Sequence, residues 1–574
     1  MIRIFTAAVL SAALSDGVLA QVPVDPNRFV PASALFTMRI QAPVTWKETF
    51  AKTKVAAALG SGKLAPGLAE LRRTWDAAVD EADGKGMPRE VAAKLANEYR
   101  GEVVVTFCAR DVVDAVLAAG EDEDVEVDGA VMIAMTPDGS FDLGALLAGF
   151  RAMDEKLDLQ MTEMQIGEHR FRHVSFDGDQ GQTQAELVDG HLVMFVGNAI
   201  EELAPAMLAN KDRATRNEPR APLSMHVDLG WLVDAFAAGA SQGADLPLEA
   251  VRPLIEVLGF GALRSVDVRV SALGERLSCE AELHMDGEPG LFGALLGDGG
   301  TSALLRSVPP RADSFSIGRF DVAALWRVLQ NVLDSLGEEA PVSISDIEAG
   351  FLRTHGVRLR EDLLDHLGAE TLVLGDARGL FELVAEQEGR QGVPDMNRVF
   401  AGWCFGMKLR NGKALAESID KLLRKAGLHA ARKIEEYGAH SIHSLRIAGV
   451  MVVEYAITDD LLLCVLGNRG EGSAHLRAVL DTLAEKSPAL PESVAKWAAA
   501  LPDGWNGLEV VRILGLVRAS MEAGLATRAD APPEVEQRID LARGILDDLS
   551  ALGLDELACA RYASARSIRW LWLW

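Results

Sequence analysis

The stretch AELVDGHLVMFVGN (residues 185–198) returns as YAITDDLLLCVLGN (residues 455–468), and both end on Gly-Asn. A chain that writes one segment twice must fold each copy in a similar setting, so the repeat constrains the architecture more than any other feature. The correspondence extends in both directions. Upstream, QIGEHRFRHVSF (165–176) matches EYGAHSIHSLRI (436–447), with Gly167 opposite Gly438 and His169 opposite His440. GAVMIAMTPDGSFDLGALLAGF (129–150) matches AGWCFGMKLRNGKALAESI (401–419), aligned on Asp138-Gly139 and Asn411-Gly412. PASALFTMRIQAPVTWKETF (31–50) pairs with PRADSFSIGRFDVAALWRVL (310–329). Downstream, APLSMHVDLGWLVDAF (221–236) pairs with NGLEVVRILGLVRASM (506–521), and residues 258–283 pair loosely with 549–574.

Within each copy, short apolar runs such as EVVVTFCA, GAVMIAM and HLVMFVG have strand length, and FDLGALLAGFRAMDEKL has helical spacing. Turns as short as VDGH cannot hold a crossover helix, so neighbouring strands run antiparallel. Runs of strands separated by single helices favour α+β over a doubly wound parallel sheet. The expected fold is therefore α+β, with two tandem homologous lobes, each a mainly antiparallel sheet packed against helices. The expected boundaries are a leader over 1–20, a first lobe over 21–300 and a second, diverged lobe over 301–574. The Gly-rich, Pro-closed stretch at 295–313 marks the junction. AEQEGRQGVPDMN (385–397) reads as a surface loop of the second lobe.

The leader MIRIFTAAVLSAALSDGVLA has a basic start, an apolar run too short to span a bilayer, and small residues before Gln21. It reads as an export signal, which places the mature chain in the periplasm or outside the cell, with no transmembrane span. The net charge of −27 argues against nucleic acid, whose phosphates need clustered Lys and Arg. Five widely spaced cysteines, with no CxxC, are neither a disulfide framework nor a zinc site. Oxidising surroundings would allow two of them to pair.

The search for chemistry is mostly negative. HExxH, GxxxxGK[ST] and GxGxxG after a strand are all absent. His169 and His173 lie four apart, but on a strand that separation is about 13 Å, too far for one ion. In EDEDVEVDG, Asp124, Glu126, Asp128 and Gly129 fall at calcium-loop positions, yet the twelfth position is Met135 where a bidentate Glu belongs. A solvated loop is the preferred reading. FDGDQGQTQ (176–184) reads as a hairpin loop, and GDGG (297–300) lacks the Lys and the strand of a phosphate cradle. No catalytic, cofactor-binding or metal-ligating residue is assigned, and no cofactor is expected. The end of the chain, RSIRWLWLW, alternates Trp570, Trp572 and Trp574 with Leu571 and Leu573. Such a strand belongs in a core or at an interface, and is a candidate contact with protein or membrane.

The leader, PASALFTMRI, RTHGVRLREDLLDHLGAETLVLGD (353–376) and DGHLVMFVGNAIEELA together resemble a bacterial family of large exported proteins classified only as a domain of unknown function. RTHGVRLREDLLDHLGAETLVLGD reads as a helix, a Leu-Gly stop and an apolar strand. The resemblance brings no catalytic residues with it. The expected function is an exported, non-enzymatic binding or cell-envelope scaffold protein whose partner is a protein or small-molecule ligand. Two alternatives stand beside it. One is an exported hydrolase with a dispersed carboxylate and His site between the lobes. The other is a membrane-associated accessory protein docking through the Trp strand.

Overall fold

The structure is a computed structural model. It describes residues 30–31, 33–41, 49–60, 99–109, 128–137, 141–156, 161–175, 182–209, most of 221–239, 248–296, most of 302–337, 342–375, 402–447, 451–466, 471–485, most of 490–521, 533–551 and 553–574. Helices and strands are mixed, and the strands pair antiparallel throughout the registers given below. The chain divides into two compact units. One comprises residues 1–252 with 263–284, the other 253–262 with 285–574. The leader and the loops at 176–181, 297–300 and 385–397 lie outside the described residues.

The strands of the first unit are β1 (Phe36–Gln41), β2 (Glu102–Ala109), β3 (Gly129–Met135), β4 (Met161–Ile166), β5 (His169–Ser175), β6 (Gln182–Val188), β7 (His191–Gly197), β8 (Leu223–Asp228), β9 (Leu263–Leu273) and β10 (Arg276–Met285). Their order across the sheet is β4-β5-β6-β7-β3-β2-β1-β8-β9-β10. Alternate residues of β3 face opposite ways, as the pleat requires. Ala130, Met132 and Ala134 pack with Phe171, Val193 and Phe195 beneath helix α2 (Ile200–Ala209). Ile133 and Met135 pack on the other face with Leu143, Leu146 and Leu147 of helix α1 (Leu143–Lys156).

The second unit has β11 (Phe315–Arg319), β12 (Leu367–Leu374), β13 (Cys404–Leu409), β14 (Lys433–Tyr437), β15 (His440–Ile447), β16 (Met451–Ile457), β17 (Leu461–Leu466), β18 (Gly507–Val511), β19 (Leu557–Ala563) and β20 (Ser567–Leu573). Their order is β14-β15-β16-β17-β13-β12-β11-β18-β19-β20. Strand for strand, it is the order of the first unit. The larger core lies on the face beneath helices α4 (Glu471–Ala484) and α5 (Glu492–Ala500), where Leu463, Val465, Leu476, Val479 and Trp497 are buried together. Helix α3 (Gly412–Lys425) covers the opposite face of β15 and β16 through Leu423, Leu445 and Tyr455. Asn411 caps it, its side chain accepting the Ala414 N–H at 3.0 Å.

The hairpin turns explain several repeated residues. Gly167 joins β4 to β5 at φ 60°, and Gly438 joins β14 to β15 at φ 62°. Each is the first residue of a two-residue turn, where glycine takes positive φ without a Cβ penalty. Asp189 and Gly190, at φ 49° and 84°, close β6 onto β7 in a turn with both central residues left-handed. The second unit solves the same closure differently. The Thr458 hydroxyl accepts the N–H groups of Asp460 and Leu461, and Thr458 N–H donates to the Leu461 carbonyl.

The segment carrying the family resemblance folds differently from its reading. The helix Ile344–His355 ends at Gly356, which is left-handed at φ 74°. A four-residue helix (Leu359–Asp362) and a 3-10 turn (Leu364–His366) follow. Leu367-Gly368 then opens β12 instead of stopping a helix, because Leu367 already pairs with Leu409 of β13. Sheet pairing decides this boundary over local helix propensity.

Candidate functional site

On the face of the first sheet that carries Met132, polar residues take over from apolar ones toward β8, β9 and β10. Cross-strand register sets Thr106, Thr37, His226 and Asp267 in one row over β2, β1, β8 and β9. All but His226 are under a tenth exposed, and the His226 side chain is 13 % exposed. The Asp267 carboxylate joins two imidazoles: His226 Nδ1 lies 2.6 Å from Oδ1, and His284 Nε2 lies 2.8 Å from Oδ2. A buried carboxylate is tolerated only with such partners. As a carboxylate, Asp267 accepts from both rings, which puts the proton on Nδ1 of His226 and on Nε2 of His284.

The same face continues with Arg269 paired to Glu280 at 3.0 Å and Ser271 bonded to Ser278 at 2.8 Å. In the second unit, the corresponding strands turn Leu508, Val510, Ala558, Ala560, Leu571 and Leu573 into the core beneath α4 and α5. The row of histidines and carboxylate is thus a property of one unit. Sequence reading missed it because His226, Asp267 and His284 lie far apart in the chain, within three strands that individually look ordinary. The one available signal was HVD in β8 and VDV in β9, each a charge inside an alternating strand.

Asp267→Ala removes two charge-assisted hydrogen bonds from a buried position, each worth about 1.5–3 kcal/mol. The expected loss is about 3 kcal/mol of stability, since solvent recovers part of the bonding at His284. The check is urea denaturation of the full chain, together with imidazole proton resonances that lose their downfield, carboxylate-bonded shifts in the variant.

The residues singled out from sequence fall elsewhere. His169 and His173 lie on β5, on the strand spacing that keeps them from one ion. Among the described residues no group of three His, Cys, Asp or Glu side chains is placed to hold a metal. Asp124 and Glu126 lie outside the described residues, whereas Met135 is buried in β3. Asp128 and Gly129 are held by the Gly-Asn end of the opening segment. Asn198 Nδ2 donates to the Asp128 carboxylate and its Oδ1 accepts the Gly129 N–H, both at 2.9 Å. Gly467 and Asn468, their counterparts, lie outside the described residues.

All five cysteines are free thiols. Burial pushes Cys108 and Cys464 up to about 11 and Cys404 to about 12, so these thiols stay protonated and unreactive at neutral pH. Trp570 and Trp572 share one face of β20, half-buried, with Trp574 just beyond its end, while Leu571 and Leu573 are buried on the other face. Trp574 Nε1 donates to the Leu554 carbonyl at 2.7 Å. No helix among the described residues is long and apolar enough to cross a membrane.

No family model and no curated protein matches the chain. Among solved structures, crystal form III of TP0453 is similar over 47 % of this chain and 82 % of that chain, at 10 % identity and a TM-score of 0.22. Crystal form I of the same protein covers 46 % and 81 %, at 10 % identity and a TM-score of 0.21. Likenesses this distant carry no argument about fold or function.

Proposed function

We propose that the chain is an exported, non-enzymatic binding or cell-envelope scaffold protein, made of two homologous α+β lobes and related to the exported family of unknown function named above. The observation that carries this reading is the contrast between what is repeated and what is not. Strand order, turn glycines and apolar core positions occur twice, whereas the His226–Asp267–His284 row occurs once. A duplicated framework with one polar face added to it is what a scaffold that presents a single recognition surface requires. The rows of Ser, His and Arg on β8–β10 offer that surface both donors and acceptors.

The hydrolase alternative gains a carboxylate-oriented histidine from this row. It lacks the next element, because the Thr37 hydroxyl opposite His226 makes no hydrogen bond among the described residues and so forms no nucleophile–base pair. The row supports binding over covalent catalysis.

Two measurements test the reading. Fractionation of the tagged chain should place it in the periplasm or medium, beginning at Gln21. A chain retaining Met1 in the cytoplasm would overturn the address. In-cell crosslinking from a photoreactive residue at Ser224, two residues from His226 on the same face, should give adducts that a His226→Ala/His284→Ala double variant loses. An adduct pattern unchanged by the double variant removes the row from recognition.

A further inference from the structure

On the other face of the second sheet, away from α4 and α5, one cation has no counter-charge among the described residues. Arg561 of β19 stands opposite Gly507 of β18 on one side and Trp570 of β20 on the other. Its side chain runs across the strands instead of along them, over Gly507 and then Gly318 of β11. A Cβ on Gly507 would come within 3.3 Å of Nε, and one on Gly318 within 3.1 Å of Nη2. The two glycines therefore form the floor of a trough that holds the guanidinium. Nη2 donates to the Arg319 carbonyl at 3.2 Å, and Nε is sealed against the sheet without an acceptor. Among the described residues no carboxylate pairs with Arg561, and Nη1 is left without a protein acceptor.

Burial, with the Arg319 cation nearby, pulls the Arg561 pKa down. Glu509 lies on the same face, diagonal to Arg561, yet the trough carries the guanidinium away toward β11 and no ion pair joins them. Trp572 stands opposite Cys559 in the adjacent row, so the trough is bordered by aromatic and apolar surface.

We propose that Arg561 is the anchor of a binding site for a monoanionic carboxylate carried on an apolar body, with the carboxylate seated at the outer Nη edge and the apolar part against Trp570 and Trp572. The guanidinium fork matches a carboxylate in geometry and charge. The class is narrowed by Glu509, since a phosphate dianion would meet a second negative charge on the same face. The site is independent of the histidine row and deepens the binding reading by naming a ligand class.

The test is calorimetric titration of the full mature chain with laurate, below its micellar concentration. Wild type should bind saturably, with affinity at least tenfold weaker in Arg561→Met. Gly318→Ala keeps the charge but displaces the guanidinium, and should weaken binding in the same direction. Neutral dodecanol should bind both wild type and Arg561→Met weakly and alike. Arg561→Met should also melt at or above the wild-type temperature, because it removes an uncompensated cation. Absence of saturable laurate binding to wild type, equal laurate affinity in wild type and both variants, or dodecanol binding as tightly as laurate would each overturn the site. Tighter binding of dodecyl phosphate than laurate would overturn the ligand class. Loss of folding in Arg561→Met would show a structural strut and overturn the proposal as well.

Discussion

Trp497→Ala is expected to destabilise the second unit by about 3–5 kcal/mol, the cost of deleting a large aromatic from a close-packed core. Trp497 is 1 % exposed and sits on α5 among Leu463, Val465, Leu476 and Leu508. Its indole N–H also donates to Glu556 at 3.0 Å, and Lys496 reaches the same carboxylate oxygen at 2.7 Å. Burial alone would raise the Glu556 pKa, but the bond and charge of Lys496 and the Trp497 N–H outweigh it, and the group ends below its ordinary 4.5. A carboxylate held low in the folded state contributes stability above pH 4.5 that is lost as pH falls through the lower folded value. Calorimetry should therefore show a large fall in the transition assigned to the second unit. The Trp497→Phe variant should retain most of the packing while giving up part of the acid-sensitive contribution. A Trp497→Ala transition within a degree of wild type would mean that α5 does not seal this core.

Gly197→Ala carries the second large effect. Gly197 ends β7 at φ 153°, and a Cβ there would overlap the Gly129 carbonyl. Gly197 is the register partner of both Ala130 on β3 and Gln182 on β6, so neither neighbour can retreat without breaking a ladder. The expected cost is about 3 kcal/mol, at the upper end of overpacking, because backbone and not a flexible side chain must move. Asn198 would lose its grip on Asp128 and Gly129 at the same time. Hydrogen exchange at the start of β3 is the direct readout. Unchanged protection at Ala130 and Val131 would show that the strand end tolerates a side chain.

The likeness of the two strand orders was legible because strands and their turns leave period-two apolar runs and glycines at fixed places. Gly167 and Gly438 are the clearest case, since each occupies the same left-handed turn position. Facing was less legible. Aligning Asp138-Gly139 with Asn411-Gly412 sets Met132 beside Phe405, yet Met132 packs beneath α2 and it is Cys404, one residue earlier, that packs into the core beneath α4. A single-residue slip reverses every side chain of a strand, and turns of unequal length conceal it in a linear comparison.

Neither candidate site could be read from the linear text, for the same reason. Thr37, His226, Asp267 and His284 belong to four strands and meet only because β1, β8, β9 and β10 lie side by side. Arg561, Gly507 and Gly318 likewise meet only across three strands. What the amino-acid order determined by itself is local: which segments are apolar and of strand length, which turns need glycine, and that similar segments stand in the same order in both halves. Which residues become neighbours was decided by the tertiary structure, because strand order and register are set by long-range pairing and by the burial of one face, and neither is encoded within the span of any one segment.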